Sequence, residues 1–181
     1  MPILIWKLAA LPIAGLPLLM SWLIFAFLFV LCFFGKANAQ TDITDNLTVQ
    51  ITIQAECTIV TTSAVDFGTS GVLDSAIDMA GSISVQCTDG EDYDIGLGAG
   101  NGAGASITDR KMTGPGSATI DYSLFRDSGR TQNWGDIASG DIVSGTGDGA
   151  DQVISVYGRV PAQTTPAAGS YSDTVLVTVS Y

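Results

Sequence analysis

The apolar residues of this chain recur at every second position, and no stretch beyond residue 39 carries them at helical spacing over ten or more residues. In "LTVQITI" at 47–53, Leu47, Val49, Ile51 and Ile53 alternate with Thr48, Gln50 and Thr52. The same period returns in "SISVQC" at 82–87, "YDIGLG" at 93–98, "QVISVYGRV" at 152–160 and "TVLVTVSY" at 174–181. In "ATIDYSLFRD" at 118–127 it sets Ile120, Tyr122 and Leu124 on one side. A period of two sends successive side chains to opposite faces of a strand, whereas a buried helix face needs a period of 3.6. Gly, Asp, Ser and Thr separate the runs, and the glycine-rich segments 96–104 and 140–149 read as loops. The expectation is an all-β chain folded as an antiparallel sandwich, with "LTVQITIQAECTIV" as its first strand-like run and "YSDTVLVTVSY" as its last.

The first 39 residues follow another logic. Lys7 precedes 27 residues, Leu8 to Phe34, without a charge, and then comes Gly35-Lys36-Ala37-Asn38-Ala39. Ala37 and Ala39 occupy the two positions a signal peptidase reads, so residues 1–39 are read as an export signal cleaved before Gln40. A retained membrane span and a start codon placed too far upstream are the other readings of its length. Cys32 lies inside the run without the small residues expected before a lipidated cysteine, and leaves with the signal. That leaves residues 40–181 as one domain-sized chain with all 18 acidic residues and five of the seven basic ones, a net charge of −13. Phosphate backbones and anionic lipid surfaces are poor partners for that sign of charge. Cys57 and Cys87 are the two remaining cysteines, and an even count in an exported chain suggests a disulfide.

Catalytic and ligand motifs fail one by one. The chain has no histidine, which excludes Ser-His-Asp and Cys-His catalysis and imidazole zinc sites. "VDFG" at 65–68 has none of the partners of a kinase magnesium motif and reads as a strand followed by a turn. "GLGAGNGAG" at 96–104 has no following helix to receive a phosphate. Asp89, Glu91, Asp92 and Asp94 lack the ligand spacing of a calcium loop and read as a solvated acidic turn. "NLT" at 46–48 is a glycosylation sequon too frequent by chance to use, and no pair of carboxylates is singled out for glycoside chemistry. No catalytic residue, metal or cofactor is expected.

Several segments in order nevertheless form a pattern: "AECTIV" at 55–60, "VDFGT" at 65–69, "GSISVQCT" at 81–88, "YSLFRDSGRTQNWGD" at 122–136 and "VYGRVPAQTTPAAGSYSDTVLVTVSY" at 156–181. Their sequence and spacing resemble the spore coat protein U domain, a family that includes pilin subunits of archaic chaperone–usher pili. The most specific parts are Tyr122, Arg126, Asp127, Trp134 and Gly135, with the Gly169-x-Tyr171-x-Asp173 entry to the last strand. The resemblance implies an incomplete immunoglobulin-like antiparallel β-sandwich that lacks its last strand, with Cys57 and Cys87 at the family's disulfide positions.

A structural, non-enzymatic role follows from the same resemblance: a subunit polymerising by donor-strand complementation, supporting adhesion or biofilm formation. Its implied partners are other pilus subunits, a periplasmic chaperone and an outer-membrane usher, with membrane contact only through the signal segment. The donor is expected within 40–53, with Ile43, Leu47, Val49, Ile51 and Ile53 as plugs. The domain proper is then 54–181. Tyr171, Val175, Val177, Val179 and Tyr181 are expected on the strand bordering the vacant groove. Asp45 departs from the donor pattern, since it sits where an apolar plug belongs, and Val49–Ile53 suits either the donor or the first domain strand. A tip adhesin, or a free-standing secreted domain that folds back its own N-terminus, is the competing reading. Trp134 is expected to pack rather than bind, and ion pairs among Arg126, Asp127 and Arg130 to lie at the surface with little energetic weight.

Overall fold

A computed structural model describes residues 40–181, so the signal segment, Cys32 and the cleavage motif lie outside the described residues. The chain divides after Gln50 into two units, and no strand forms among the described residues of the first. The second unit holds eight strands: β1 (Cys57–Ser63), β2 (Ile77–Cys87), β3 (Asp92–Leu97), β4 (Arg110–Thr113), β5 (Thr119–Phe125), β6 (Val143–Thr146), β7 (Asp151–Val160) and β8 (Val177–Ser180). They form a five-stranded sheet, ordered β1-β2-β7-β5-β4, and a three-stranded sheet, ordered β6-β3-β8. Every named pairing is antiparallel. The antiparallel β-sandwich expected from the period of two forms, as does the immunoglobulin-like arrangement that the family resemblance implied.

Alternation decides which side chains meet between the sheets. On β2, Ile83, Val85 and Cys87 are buried, and on β3 so are Tyr93, Ile95 and Leu97. Tyr122 and Leu124 of β5 and Val156 and Val160 of β7 complete the core. Gly158 interrupts the apolar set of β7 for a steric reason. A Cβ there would stand 2.5 Å from Val65 Cγ1 and 2.9 Å from Phe67 Cζ, so glycine is what lets those two side chains pack down on the sheet.

Three local expectations are corrected. "LTVQITI" is not part of the first strand, which begins only at Cys57. Cys57 pairs with Cys87, where β2 ends; Thr88 still exchanges bonds with Glu56 before the chain turns away, and among the described residues no strand lies opposite those ahead of that. "VDFG" forms no strand: the Asp66 carboxylate accepts from the Gly68 amide at 2.8 Å, bending the segment into a turn. The 140–149 segment does contain a strand, β6, despite its glycines. There the Ser144 and Thr146 hydroxyls donate to Asp94 and Asp92 of β3 at 2.6 and 2.7 Å, so two of the four acids read as solvated serve a sheet. The remaining strand absent from the sequence reading is β4, whose "RKMT" has no alternation to reveal it.

The crossover from β5 to β6 ties the two sheets together. Trp134 is wholly buried and its indole N–H donates to the Ile95 carbonyl of β3 at 2.8 Å. Its own amide donates to Leu124 of β5 at 2.9 Å, so one residue bridges both sheets. The ion pairs that the sequence allowed among Arg126, Asp127 and Arg130 do not form; only a backbone bond from Arg130 to Asp127 joins any two of them. Asp127 accepts from the amides of Thr131 and Gln132 and closes the loop. Arg126 reaches the Ile142 carbonyl at 2.9 Å and approaches Asp141. Arg130 sits over the Tyr157 ring, donates to Gly158 and Met79 carbonyls, and approaches Asp78, which Arg159 grips with two bonds of 2.7 and 2.8 Å. Backbone carbonyls thus take up much of the donor capacity that the sequence alone assigned to surface pairs.

Two predictions follow. The Cys57–Cys87 disulfide closes a separation of 30 residues, so the double variant Cys57→Ser/Cys87→Ser should lose about 3–4 kcal/mol in urea unfolding. The second concerns acid. The hydrogen bond from Arg159 holds the Asp78 carboxyl below its ordinary 3.8, and the Gln132 amide, with Thr131, does the same for Asp127. Groups with depressed folded values stabilise above the unfolded pKa and lose that contribution as pH falls through the folded one. The melting temperature should therefore decline as pH drops below about 4, less steeply in Asp78→Asn and Asp127→Asn.

Candidate functional site: an open groove beside the last strand

The three-stranded sheet places β8 at an edge. Its inner edge pairs with β3, Leu97 opposite Val177 through Asp94 opposite Ser180, and its outer edge has no strand partner among the described residues. Beside that edge the sandwich is open. A groove of about 1120 Å³ runs between β8 and residues 62–71, the end of β1 and the chain that follows it. Its floor is core: Ile83, Leu124 and Val156 come from the five-stranded sheet, and Leu97 from the other. Val65 and Phe67 border it on the β1 side, where their segment also lacks a ladder. Phe67 meets Tyr122 edge-on, ring centroids 6.5 Å apart. An apolar floor between two unpaired backbone edges is the shape that accepts an extended segment.

The expected edge residues divide. Tyr171, Val175 and Val177 line the groove. Val179 packs against the core without lining it, and Tyr181 lies beyond β8 and is exposed. β8 is also shorter than the "YSDTVLVTVSY" run. Ser172 makes an isolated bridge to Thr113 of β4, and only from Val177 does the chain pair with β3. Residues 173–176 carry it from the edge of one sheet to the edge of the other. There the Asp173 carboxylate replaces a ladder, accepting from the Tyr122 hydroxyl at 2.6 Å, the Asn101 amide at 2.8 Å and the Thr174 amide at 2.7 Å. Burial, then that bond to Asp173, pushes the Tyr122 phenol far above its ordinary value, so it stays a donor. Of the five signature residues Tyr122 alone reaches the groove; Arg126, Asp127, Trp134 and Gly135 build the crossover.

Sequence reasoning passed over Arg110. It is completely buried, and its guanidinium donates to the carbonyls of Leu97, Gly98, Ile107 and Trp134 at 2.7–2.9 Å. Burial pulls its pKa below the ordinary arginine value, while the fields of Tyr122, Asp173 and Asp136 oppose that pull. The sequence offered no signal for it: Arg110 stands beside Lys111 in "RKMT", whose strand no alternation reveals.

The expected plugs are all available. Ile43, Leu47 and Val49 are exposed in the first unit, and Ile51 and Ile53, at 84 % and 71 % exposure, head the second without lining the groove. Asp45 accepts from the next amide, Asn46, at 2.8 Å. Among the described residues no group of acidic, cysteine or histidine side chains is placed to hold a metal.

Comparison with known proteins gives this arrangement a context. The Spore Coat Protein U domain model matches residues 43–178. Protein U of Myxococcus xanthus is 33 % identical over 162 residues, covering 82 % of this chain and 89 % of that protein. Among solved structures, the CsuC–CsuE chaperone–tip adhesion subunit pre-assembly complex from the archaic chaperone–usher Csu pili of Acinetobacter baumannii aligns with a TM-score of 0.53 at 25 % identity. That alignment covers 72 % of this chain and 40 % of the matched one. A family match spanning most of the chain, together with a relative one-third identical over most of both lengths, makes this protein a member of the spore coat protein U domain family.

Proposed function

We propose that this protein is a structural subunit of an archaic chaperone–usher pilus, assembled by donor-strand complementation. The observation that carries the reading is the groove beside β8, apolar at its floor and unpaired at its edges, in a chain that also bears an exposed alternating segment from Ile43 to Ile53. Such a segment inserted along β8 would supply the missing ladder and cover the floor at one stroke. Its apolar residues would face inward and Thr48, Gln50 and Thr52 outward. Donor and acceptor are different segments of the chain, so the contact between copies is heterologous and propagates as a filament rather than closing on itself.

The likeness to a subunit solved with its chaperone supports a matching pathway here: export of residues 40–181, capture by a periplasmic chaperone, handover at an outer-membrane usher, and display on the cell surface in adhesion or biofilm growth. Neighbours in the fibre are further copies of this chain or other subunits of the same pilus. Residues 40–53 are the donor extension and 54–181 the acceptor domain. The role is mechanical and non-catalytic.

Negative-stain microscopy of the exported chain should show filaments, and none once residues 40–53 are deleted. The truncated chain should still bind a synthetic peptide of residues 41–53 and melt at higher temperature with it. Ile51→Asp in that peptide should weaken binding roughly 10- to 100-fold, the loss of one buried isoleucine. A truncated chain that polymerised like the intact one would end this reading.

A further inference from the structure

An empty groove poses a problem that its occupant would solve. β8 is tied to the body by four residue pairs with β3, and its inward valines are only half covered. Edge elements with few buried contacts open locally at low cost. The bracket around Asp173 lies where β8 enters the groove. One carboxylate joins three stretches of chain: Tyr122 of β5, Asn101 of the loop after β3, and Thr174 of its own segment. The loop approaches so closely that a Cβ on Gly100, at φ +85°, would overlap the carboxylate. The buried Arg110 guanidinium has only carbonyls as direct partners, and Asp173 is one of the anions whose field reaches it. Just upstream, Thr113 and Ser172 exchange backbone bonds of 2.9 and 3.2 Å.

We propose that Asp173, bonded to Tyr122, is the positioning residue that holds the unoccupied groove in its strand-accepting form. This rests on the donor-strand reading above. In the empty protein the bracket fixes where β8 begins and keeps its outer edge aligned with the floor. In the filled protein a second ladder on that edge takes over the same task. Loss of the bracket therefore lowers the fraction of empty molecules ready to accept a strand, and the apparent association rate falls with that fraction. The dissociation rate of the filled complex stays nearly unchanged.

The experiment uses the exported chain with Leu47→Asp and Ile51→Asp, so that its own segment cannot compete, and a labelled peptide of residues 41–53 in stopped flow. Tyr122→Phe keeps the ring and its packing on Phe67 while removing the bond, and Asp173→Asn keeps the shape of the carboxylate. Tyr122→Phe should slow association roughly 3- to 10-fold with dissociation changed by less than about twofold, and Asp173→Asn should fall between it and the unaltered groove. The melting temperature should drop in the empty form and hardly at all in the peptide-filled form. Equal losses in both forms, or a change confined to dissociation, would show a general structural role and overturn the proposal. Equal association by all variants would overturn it while leaving donor-strand assembly standing. A groove that bound no peptide even with Tyr122 and Asp173 intact would sink both.

Discussion

An unpaired β8 edge beside an open apolar groove sets the terms for the rest of this molecule. Backbone donors and acceptors at a sheet edge need partners, and the apolar surface that half-buried Val65, Phe67, Val175 and Val177 leave to water costs free energy in proportion to its area. Both demands arise in the same place, so a single extended segment with alternating apolar side chains answers them together. Lone apolar residues scattered over the surface would carry no such meaning. Here the vacancy is linear, and its floor belongs to the two sheets at once.

A sandwich open on one side must hold its layers by other means. Trp134 crosses between them with a buried indole donor and a backbone bond to the opposite sheet. Arg110 gathers four carbonyls from three stretches of chain around one buried cation. Directional bonds of this kind are modest in net gain and expensive to leave unmade, which makes them determinants of one geometry more than sources of stability. The disulfide adds a constraint of a different kind. It joins the first residue of edge strand β1 to the last residue of β2, whose ladder with β7 is the longest among the described residues.

Much of this was legible beforehand and some was not. The buried sets on β2, β3, β5 and β7 are those that alternation marks. The charged residues of the 122–136 block were misread as a group, because sequence shows which charges are near in the chain and not which carbonyls the fold brings to them. Arg130 illustrates the point: its partners Met79, Gly158 and Asp78 are distant in sequence and adjacent only because β2 pairs with β7. Asp173 was visible as part of a motif, but its work depends on Tyr122, 51 positions away.

From its sequence alone the chain beyond residue 39 was bound to be all-β, to be acidic and without histidine, and to possess an alternating segment soon after residue 40. Side-chain period and composition dictate those outcomes because they determine which face of a segment can be buried. Which segments became strands was decided by the tertiary structure. "LTVQITI" has the better pattern and stays unpaired, while glycine-bearing "VSGT" became β6, because Asp92 and Asp94 on β3 stood opposite it with bonds to offer. Periodicity specifies the faces of a strand; only a neighbouring backbone can satisfy its edges.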